Sequence, residues 1–366
     1  MTSALKAPAS LPATPIAVGR DEINLAEFPF VLLSKRRGFK LTAEEGARGP
    51  KRRDSFHIEK IRTHNGAILK QSWRVMAPAD LGLPYGNDID IVIALISLSY
   101  ERGLERKIYL KRSELIERMK WPKNGHSYNA LEEGLRRFFG IRIIAENAIY
   151  NRKKDKYESS GEGGFGIIAS YSKVYREENS DRLLEIIWDE FLWQQLRDGN
   201  IIPLNEKVFF SLKTNTSKAL YRFLNRKMQA NINFAIDLHD LAHVHLGTSE
   251  DRGSPSQIKQ QLKPALEELV RVNYLEAYFF RPSADNPQRH VLEVRRAPAA
   301  LAAAAASAAR PEPAAYFYER PAISFRRNSP YCSFMGSSRS TFARRRWAMT
   351  SRCSWGLKPF FSKVSQ

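Results

Sequence analysis

The chain has 366 residues, 58 Lys+Arg against 39 Asp+Glu, a net charge of +19 and 43% hydrophobic residues. That length and apolar content suffice for two cores, and the charge excludes a typical acidic metabolic enzyme and points to a polyanionic partner. Both cysteines, Cys332 and Cys353, lie close to the C-terminus, so a disulfide framework or a cysteine zinc site in a folded body is excluded.

From the N-terminus, residues 1–20 carry a proline-broken apolar stretch and one lysine, which predicts a disordered leader rather than a signal peptide. Ser55 to Ile61 and Ala67 to Met76 read as strands around Asn65-Gly66, a hairpin signal. Ile89 to Tyr100 is too short for a membrane span and contains Asp90, so it reads as part of a buried helix capped by Asp88 and running to Arg102, with Val92, Leu95, Ile96 and Ser99 on one face. No membrane role is expected, and the location is expected to be cytoplasmic. Next come a short strand, Lys107 to Leu110, and a helix, Arg112 to Met119, with Leu115, Ile116 and Met119 inward. A break at 121–125 precedes a third helix from Ser127 to Phe139, whose Leu131, Leu135, Phe138 and Phe139 face the core. Strands Ile141 to Tyr150 and Phe165 to Tyr175 follow, across a charged turn at 151–156. Helix, strand, helix, helix, hairpin is the order of a winged helix.

The order returns in Ser217 to Met228, Phe234 to Ile236, Leu238 to Leu246, Ser256 to Val272, and a hairpin of Tyr274 to Arg281 with Arg289 to Arg295. Ala130-Leu131-Glu132-Glu133 and Ala265-Leu266-Glu267-Glu268 are taken as equivalent places in the two third helices, which suggests one duplicated unit. Beyond it, Ala297 to Ala309 is nearly all alanine, and residues 297–366 hold 11 Lys+Arg and 2 Asp+Glu. The predicted fold is α+β: a leader (1–20), an N-terminal winged-helix domain with added hairpins (21–200), a C-terminal winged-helix domain (201–296), and an Ala-rich linker with a disordered basic tail (297–366).

A winged helix reads duplex DNA with its third helix in the major groove and its hairpin on the backbone or in the minor groove. In the second copy, Ser254, Pro255 and Gln257 mark a helix start, and Ser256, Gln257, Lys259, Gln260 and Lys263 face outward with no carboxylate before Glu267. Pro264 is expected to kink or restart this helix. In the first copy, Lys123, Asn124, His126, Ser127, Tyr128, Asn129, Arg136 and Arg137 form the outward side, complicated by Glu132 and Glu133. Arg152, Lys153, Lys154 and Lys156 form a wing tip suited to phosphates, and Lys218, Arg222 and Arg226 at i, i+4, i+8 are expected opposite Phe223 as another backbone contact. The second-copy helix and the wing tip also have an ordinary reading as solvated charged faces, and the carboxylates of the first-copy helix give it an alternative reading as an interface.

His243-Val244-His245 matches the metal-binding signature of nucleases that nick DNA through a tyrosine, with Tyr274 or Tyr278 as nucleophile. That signature works from a strand, however, and this segment has helical period. His239 and His243 at i, i+4 lack a third ligand and a general base for a hydrolytic metal site. No Gly-Lys-Ser/Thr loop and no Ser/His/Asp set is present in the sequence. The expectation is therefore a protein with no catalytic residues, no metal and no cofactor.

Asp21-Glu22-Ile23-Asn24-Leu25-Ala26-Glu27-Phe28-Pro29-Phe30 with Leu33-Ser34-Lys35-Arg36, Gly125-x-Ser127-Tyr128 leading to Leu135-Arg136-Arg137, and Ala219-Leu220-Tyr221-Arg222-Phe223-Leu224 resemble the replication initiator protein A family of bacterial plasmids, over about Asp21 to Tyr278. The resemblance implies a tandem winged-helix initiator that binds repeated double-stranded sites at a plasmid origin, promotes its opening, and recruits the host initiator and replicative helicase. A homodimer is a further expected partner state. A transcriptional regulator is the alternative from the same partner class, and the nicking nuclease the alternative from another.

Overall fold

The computed structural model describes residues 18–34, 55–176, 179–229, 231–248, 254–283, 289–298 and 300. The chain divides into two units, Met1–Phe317 and Tyr318–Gln366, and every described residue belongs to the first. The expected leader up to residue 17, the rest of the alanine-rich linker and the basic tail lie outside the described residues.

The described chain opens with β1 (Val18–Glu22) and α1 (Ile23–Glu27), every residue of α1 being buried. Glu22 caps α1 by accepting from the backbone N–H of Asn24 and Leu25 at 2.9 and 2.7 Å. Val18–Arg20, which the sequence leaves in the leader, are thus part of a strand. The hairpin β2 (Ser55–His64) and β3 (Ala67–Met76) turns at Asn65 and Gly66, whose φ values of 49° and 77° are the left-handed pair that an Asn-Gly turn supplies. One face of this ribbon carries Phe56, Ile58, Trp73 and Val75 into the core.

α2 (Asp88–Glu101) is buried on every side from Asp88 to Ser99. Asp88 does not cap it: Asn87 holds that position, and the Asp88 carboxylate accepts instead from the Tyr85 N–H at 2.9 Å and from Arg137. Then come β4 (Lys107–Lys111), α3 (Arg112–Arg118) and α4 (Gly125–Gly140), the last capped by Asn124 Oδ1 accepting from the Ser127 N–H at 2.9 Å. Leu131, Leu135 and Phe138 are buried as expected, but Phe139 is 51% exposed and lies edge-on to Tyr171. Two adjacent residues on a helix point about 100° apart, and only Phe138 falls on the α2 side.

The strands after α4 pair differently from expectation. β5 (Arg142–Glu146) joins β3, giving a sheet in the order β2-β3-β5. β6 (Ile149–Asn151) and β7 (Lys156–Glu158) form their own small hairpin around the charged turn. The hairpin that closes the first repeat is β8 (Ile168–Arg176) with β9 (Asn179–Trp188), and β9 also pairs with β4. The turn at 151–156 is therefore not the tip of that hairpin. α5 (Glu190–Arg197), β10 (Ile201–Asn205) and α6 (Glu206–Phe209) follow, and β10 pairs antiparallel with β1.

The second repeat runs α7 (Asn215–Lys227), β11 (Asn233–Asp237), a π-helical turn (Asp240–His245), α8 (Pro255–Arg271), β12 (Leu275–Pro282) and β13 (His290–Arg296). α8 is continuous through Pro264. The sheet orders are β4-β9-β8 and β11-β13-β12, so in both repeats the strand between the first two helices pairs with the second strand of the closing hairpin. The duplication thus resides in topology. The repeated letters do not coincide in place, because Ala130 is the sixth residue after the Asn124 cap whereas Ala265 is the eleventh after the Ser254 cap.

Candidate nucleic-acid interface

On α8, Ile258, Leu262, Ala265, Leu266 and Leu269 are buried, which fixes the helix rotation and leaves Ser256, Gln257, Gln260 and Lys263 exposed. Lys259 is half-buried and its ammonium lies 5.8 Å from the Phe280 ring on β12. Ser254 accepts from the Gln257 N–H at 3.3 Å and caps the helix, so Ser256 and Gln257 lie in its first turn. Lys263 makes an exposed pair with Glu267 at 3.8 Å, the first carboxylate on the helix.

Lys123, just ahead of α4, and His126, Asn129 and Arg136 on it are exposed, and Arg136 has no ion pair among the described residues. Lys123 pairs with Glu117 at 3.0 Å. Asn124 is exposed but its carboxamide oxygen is committed to the cap, Ser127 is buried, and Tyr128 is half-buried with the Arg112 guanidinium 5.4 Å from its ring. Glu132 is held by Lys173 of β8 at 2.8 Å and Arg112 of α3 at 2.6 Å. The Lys173 hydrogen bond, with Arg112 beside it, keeps this carboxyl below the ordinary range, and its charge is answered within the repeat.

Four expected contacts are corrected by burial. Arg137 lies under the surface with Nε and Nη2 on the two Asp88 oxygens at 2.7 and 2.9 Å. Lys218 donates to both oxygens of Asp90 at 2.8 Å, and Arg222 makes a two-pronged pair with Asp21 at 2.7 Å. The face of α7 opposite Phe223 is not solvent but the interior contact with α2 and β1, where an unpaired charge is prohibitively costly and a carboxylate is required. Ser127 is removed from the outward set for the same reason of burial. Part of the signal was present in the sequence: Asp88 and Asp90 flank or enter the apolar run from Ile89, and buried carboxylates demand cations from elsewhere in the chain.

In the turn at 151–156, Arg152, Lys153, Lys154 and Lys156 are all exposed. Arg152 donates to the Ile201 carbonyl at 3.0 Å, while Lys154 and Lys156 share Glu158 at 2.9 and 3.3 Å, leaving Lys153 without a carboxylate among the described residues.

The histidine triplet has a different environment from a metal site. His243 Nδ1 donates to the Thr248 carbonyl at 3.2 Å. His245 is buried, its Nδ1–H donates to the Glu27 carbonyl at 2.8 Å, Nε2 accepts from Lys60 at 3.1 Å, and its ring stacks on Phe223 at 4.3 Å. Burial drives its pKa down to about 3, so the ring is neutral. The Tyr274 hydroxyl is buried, and Tyr278 packs edge-on against Phe280. Among the described residues, no group of three or more His, Cys, Asp or Glu is placed to hold a metal ion, and no helix is long and apolar enough to cross a membrane.

Two topologically matching repeats with exposed, cation-bearing third helices define a chain of the replication-initiator class once the family comparison is added. The model of the family described as "Replication initiator protein A" matches residues 59–272, more than half of the chain, and the protein belongs to that family. Its role is accordingly that of an origin-binding initiator of DNA replication. Among solved structures, the chain is similar to domains 2 and 3 of RctB in a selenomethionine crystal form, with 10% identity, TM-score 0.46, and coverage of 75% of this chain and 98% of that one. A second structure of RctB domains 2–3 gives 9% identity, TM-score 0.38, and coverage of 68% and 94%. No curated protein matches.

Proposed function

We propose that the two repeats are winged-helix domains, spanning about 21–200 and 201–296, that bind adjacent segments of duplex DNA at repeated sites of a plasmid origin. The observation that carries this reading is the exposed N-terminal half of α8, where Ser256, Gln257, Gln260 and Lys263 stand free of any carboxylate before Glu267. Amide and ammonium groups in this position donate to base edges and phosphates. α4 contributes Lys123, Asn124, His126, Tyr128, Asn129 and Arg136 more weakly, because one of its polar groups is a cap and Lys123 already has a partner.

The action is non-enzymatic. Lys and Arg displace counterions from the backbone, the two helices fix the register, and strain at an A·T-rich segment assists opening, after which the host initiator and replicative helicase assemble in the cytoplasm. A homodimer would double the number of reading helices on a repeated site. The test is footprinting of the full chain on DNA flanking its own gene, with and without EDTA. Protection of several spaced, similar repeats, indifferent to EDTA and without strand cleavage, is the expected result. A metal-dependent nick carrying a covalent tyrosine would replace this reading by the nuclease.

A further inference from the structure

The C-terminal end of α7 meets the β2 ribbon in a cluster that holds more cations than its carboxylates answer. Glu27 lies at its centre, 6% exposed, with Arg62 Nη2 and Lys227 Nζ at 2.5 and 2.6 Å from Oε1. Lys60 stands next to them, donating to His245 and lying 3.9 Å from Asp240. Tyr150 and Tyr157 floor the outer side, with ring centroids 5.2 Å apart, the Arg62 guanidinium 5.0 Å from Tyr157 and the Arg226 guanidinium 5.7 Å from Tyr150. Asp155, on the rim, accepts from the Tyr150 hydroxyl, and its backbone carbonyl accepts from His64.

Arg226 is the member with no carboxylate among the described residues, and its buried Nε has no hydrogen-bond partner. Three residues on, the buried Gln229 Nε2 is also without one. Two orphan donors at the end of one helix call for an acceptor, and the surrounding positive charge selects an anionic one. Glu27 makes no ion pair with Arg226: its Oε1 accepts from Arg62 and Lys227, and its Oε2, beside Lys227, accepts no hydrogen bond. Burial first, with Arg62 and Arg226 adding repulsion against the pull of Glu27, lowers Lys227 to about 8, and burial lowers Lys60 as well. Arg62, Lys60 and Lys227 each keep 18 to 19% of their side chains exposed, so the cluster opens to solvent.

We propose that Arg226, backed by Arg62 and Lys227, is a phosphate site that takes one phosphodiester of the DNA backbone at the junction of the two repeats. The Arg226 guanidinium, 5.7 Å from the Tyr150 ring and without a carboxylate among the described residues, presents a planar fork that matches a phosphate oxygen, and its helix α7 joins the two repeats through Lys218 and Arg222. The inference rests on the duplex-binding reading given above.

The experiment is a salt titration of full-chain binding to an origin-repeat duplex and a scrambled duplex, for the wild type, Arg226→Gln, Arg226→Lys and Lys153→Ala. Arg226→Gln is expected to reduce the slope of log K against log[salt] by about 0.9 on both duplexes, one released counterion. Arg226→Lys should restore most of it, which a purely structural role for Arg226 would not predict. A wild-type slope in Arg226→Gln, with Lys153→Ala lowering the slope in the same assay, overturns the site while leaving duplex binding standing. Failure of the wild type to bind either duplex overturns the underlying reading instead. Inorganic phosphate compared with chloride at equal ionic strength separates the two sources: thermal stabilisation by phosphate that Arg226→Gln abolishes, without any change in duplex slope, gives the site to a free phosphate and overturns the backbone assignment.

Discussion

Lys218 Nζ lies 2.8 Å from each carboxylate oxygen of Asp90, joining α7 of the second repeat to α2 of the first inside the protein. Trp121 Nε1 donates to the same carboxylate at 3.0 Å, and one residue-turn along α7 Arg222 makes the corresponding pair with Asp21 of β1. This helix thus acts as a fastener between repeats, with the charge of Lys218 and Arg222 spent on carboxylates of their own chain.

Lys218→Met should therefore lower stability by about 3–5 kcal/mol, the usual result of stranding one member of a buried pair. The check is the urea midpoint of the full chain, together with duplex affinity of the folded protein. A Lys218→Met, Asp90→Asn double substitution should recover part of the loss. If Lys218 were a DNA contact, affinity would fall while the midpoint held.

Gln260→Ala with Lys263→Ala should weaken binding to the specific duplex by about 1–3 kcal/mol per lost base contact and leave the urea midpoint in place, since both side chains are exposed. Competition between specific and scrambled duplex measures it. Equal affinity for wild type and variant on the specific site would remove α8 from base reading.

In the turn at 151–156, Lys153→Ala should reduce affinity on all sequences and flatten the salt slope, whereas Lys154→Ala should do less, because Lys154 is already paired with Glu158 at 2.9 Å. A loss restricted to the specific duplex would contradict a phosphate role.

Acid should destabilise the protein through His245. Its folded pKa of about 3 is below the ordinary 6.5, so the unfolded chain binds the extra proton, and stability present above 6.5 is lost as pH falls toward 3, by up to about 1.4 kcal/mol per pH unit. Glu22 acts in the opposite sense. Burial, against the N–H donors of Asn24 and Leu25, raises its pKa to about 7, so the folded state holds the proton and stability is lost as pH rises from 4.5 through 7. The stability of Glu22→Gln relative to wild type should increase with pH across that window in urea titrations. A pH-independent difference would show that Glu22 is ionised throughout.

Gly134 on α4 has room for no side chain: a Cβ there would stand 2.3 Å from Ile91 Cδ1 and 3.0 Å from Asp88 Oδ1 on α2. Gly134→Ala should cost about 1–3 kcal/mol by pushing α4 from α2, read as a lower melting temperature. A melting temperature at or above that of the wild type would show that Ile91 yields without strain.

The sequence by itself determined the local elements and the basic character of the chain. Periodicity located the helices around Val92, Leu135, Leu224 and Leu266, the Asn65-Gly66 pair set the first hairpin, and Ser254 with Pro255 set the start of α8, because caps, turns and apolar spacing act within a few residues. Which strands pair was decided only in three dimensions. Ile143 and Ala145 belong to β5 beside β3, and β9 reaches back to β4, because burial of one face of each strand selects partners far apart in sequence. The same holds for charge. Arg136 and Arg137 are adjacent letters, yet Arg136 is exposed and Arg137 closes on Asp88; Lys218 and Lys263 read alike, yet only Lys263 meets solvent. A cation's role depends on whether a carboxylate from a distant segment is brought to it, and tertiary packing alone supplies that partner.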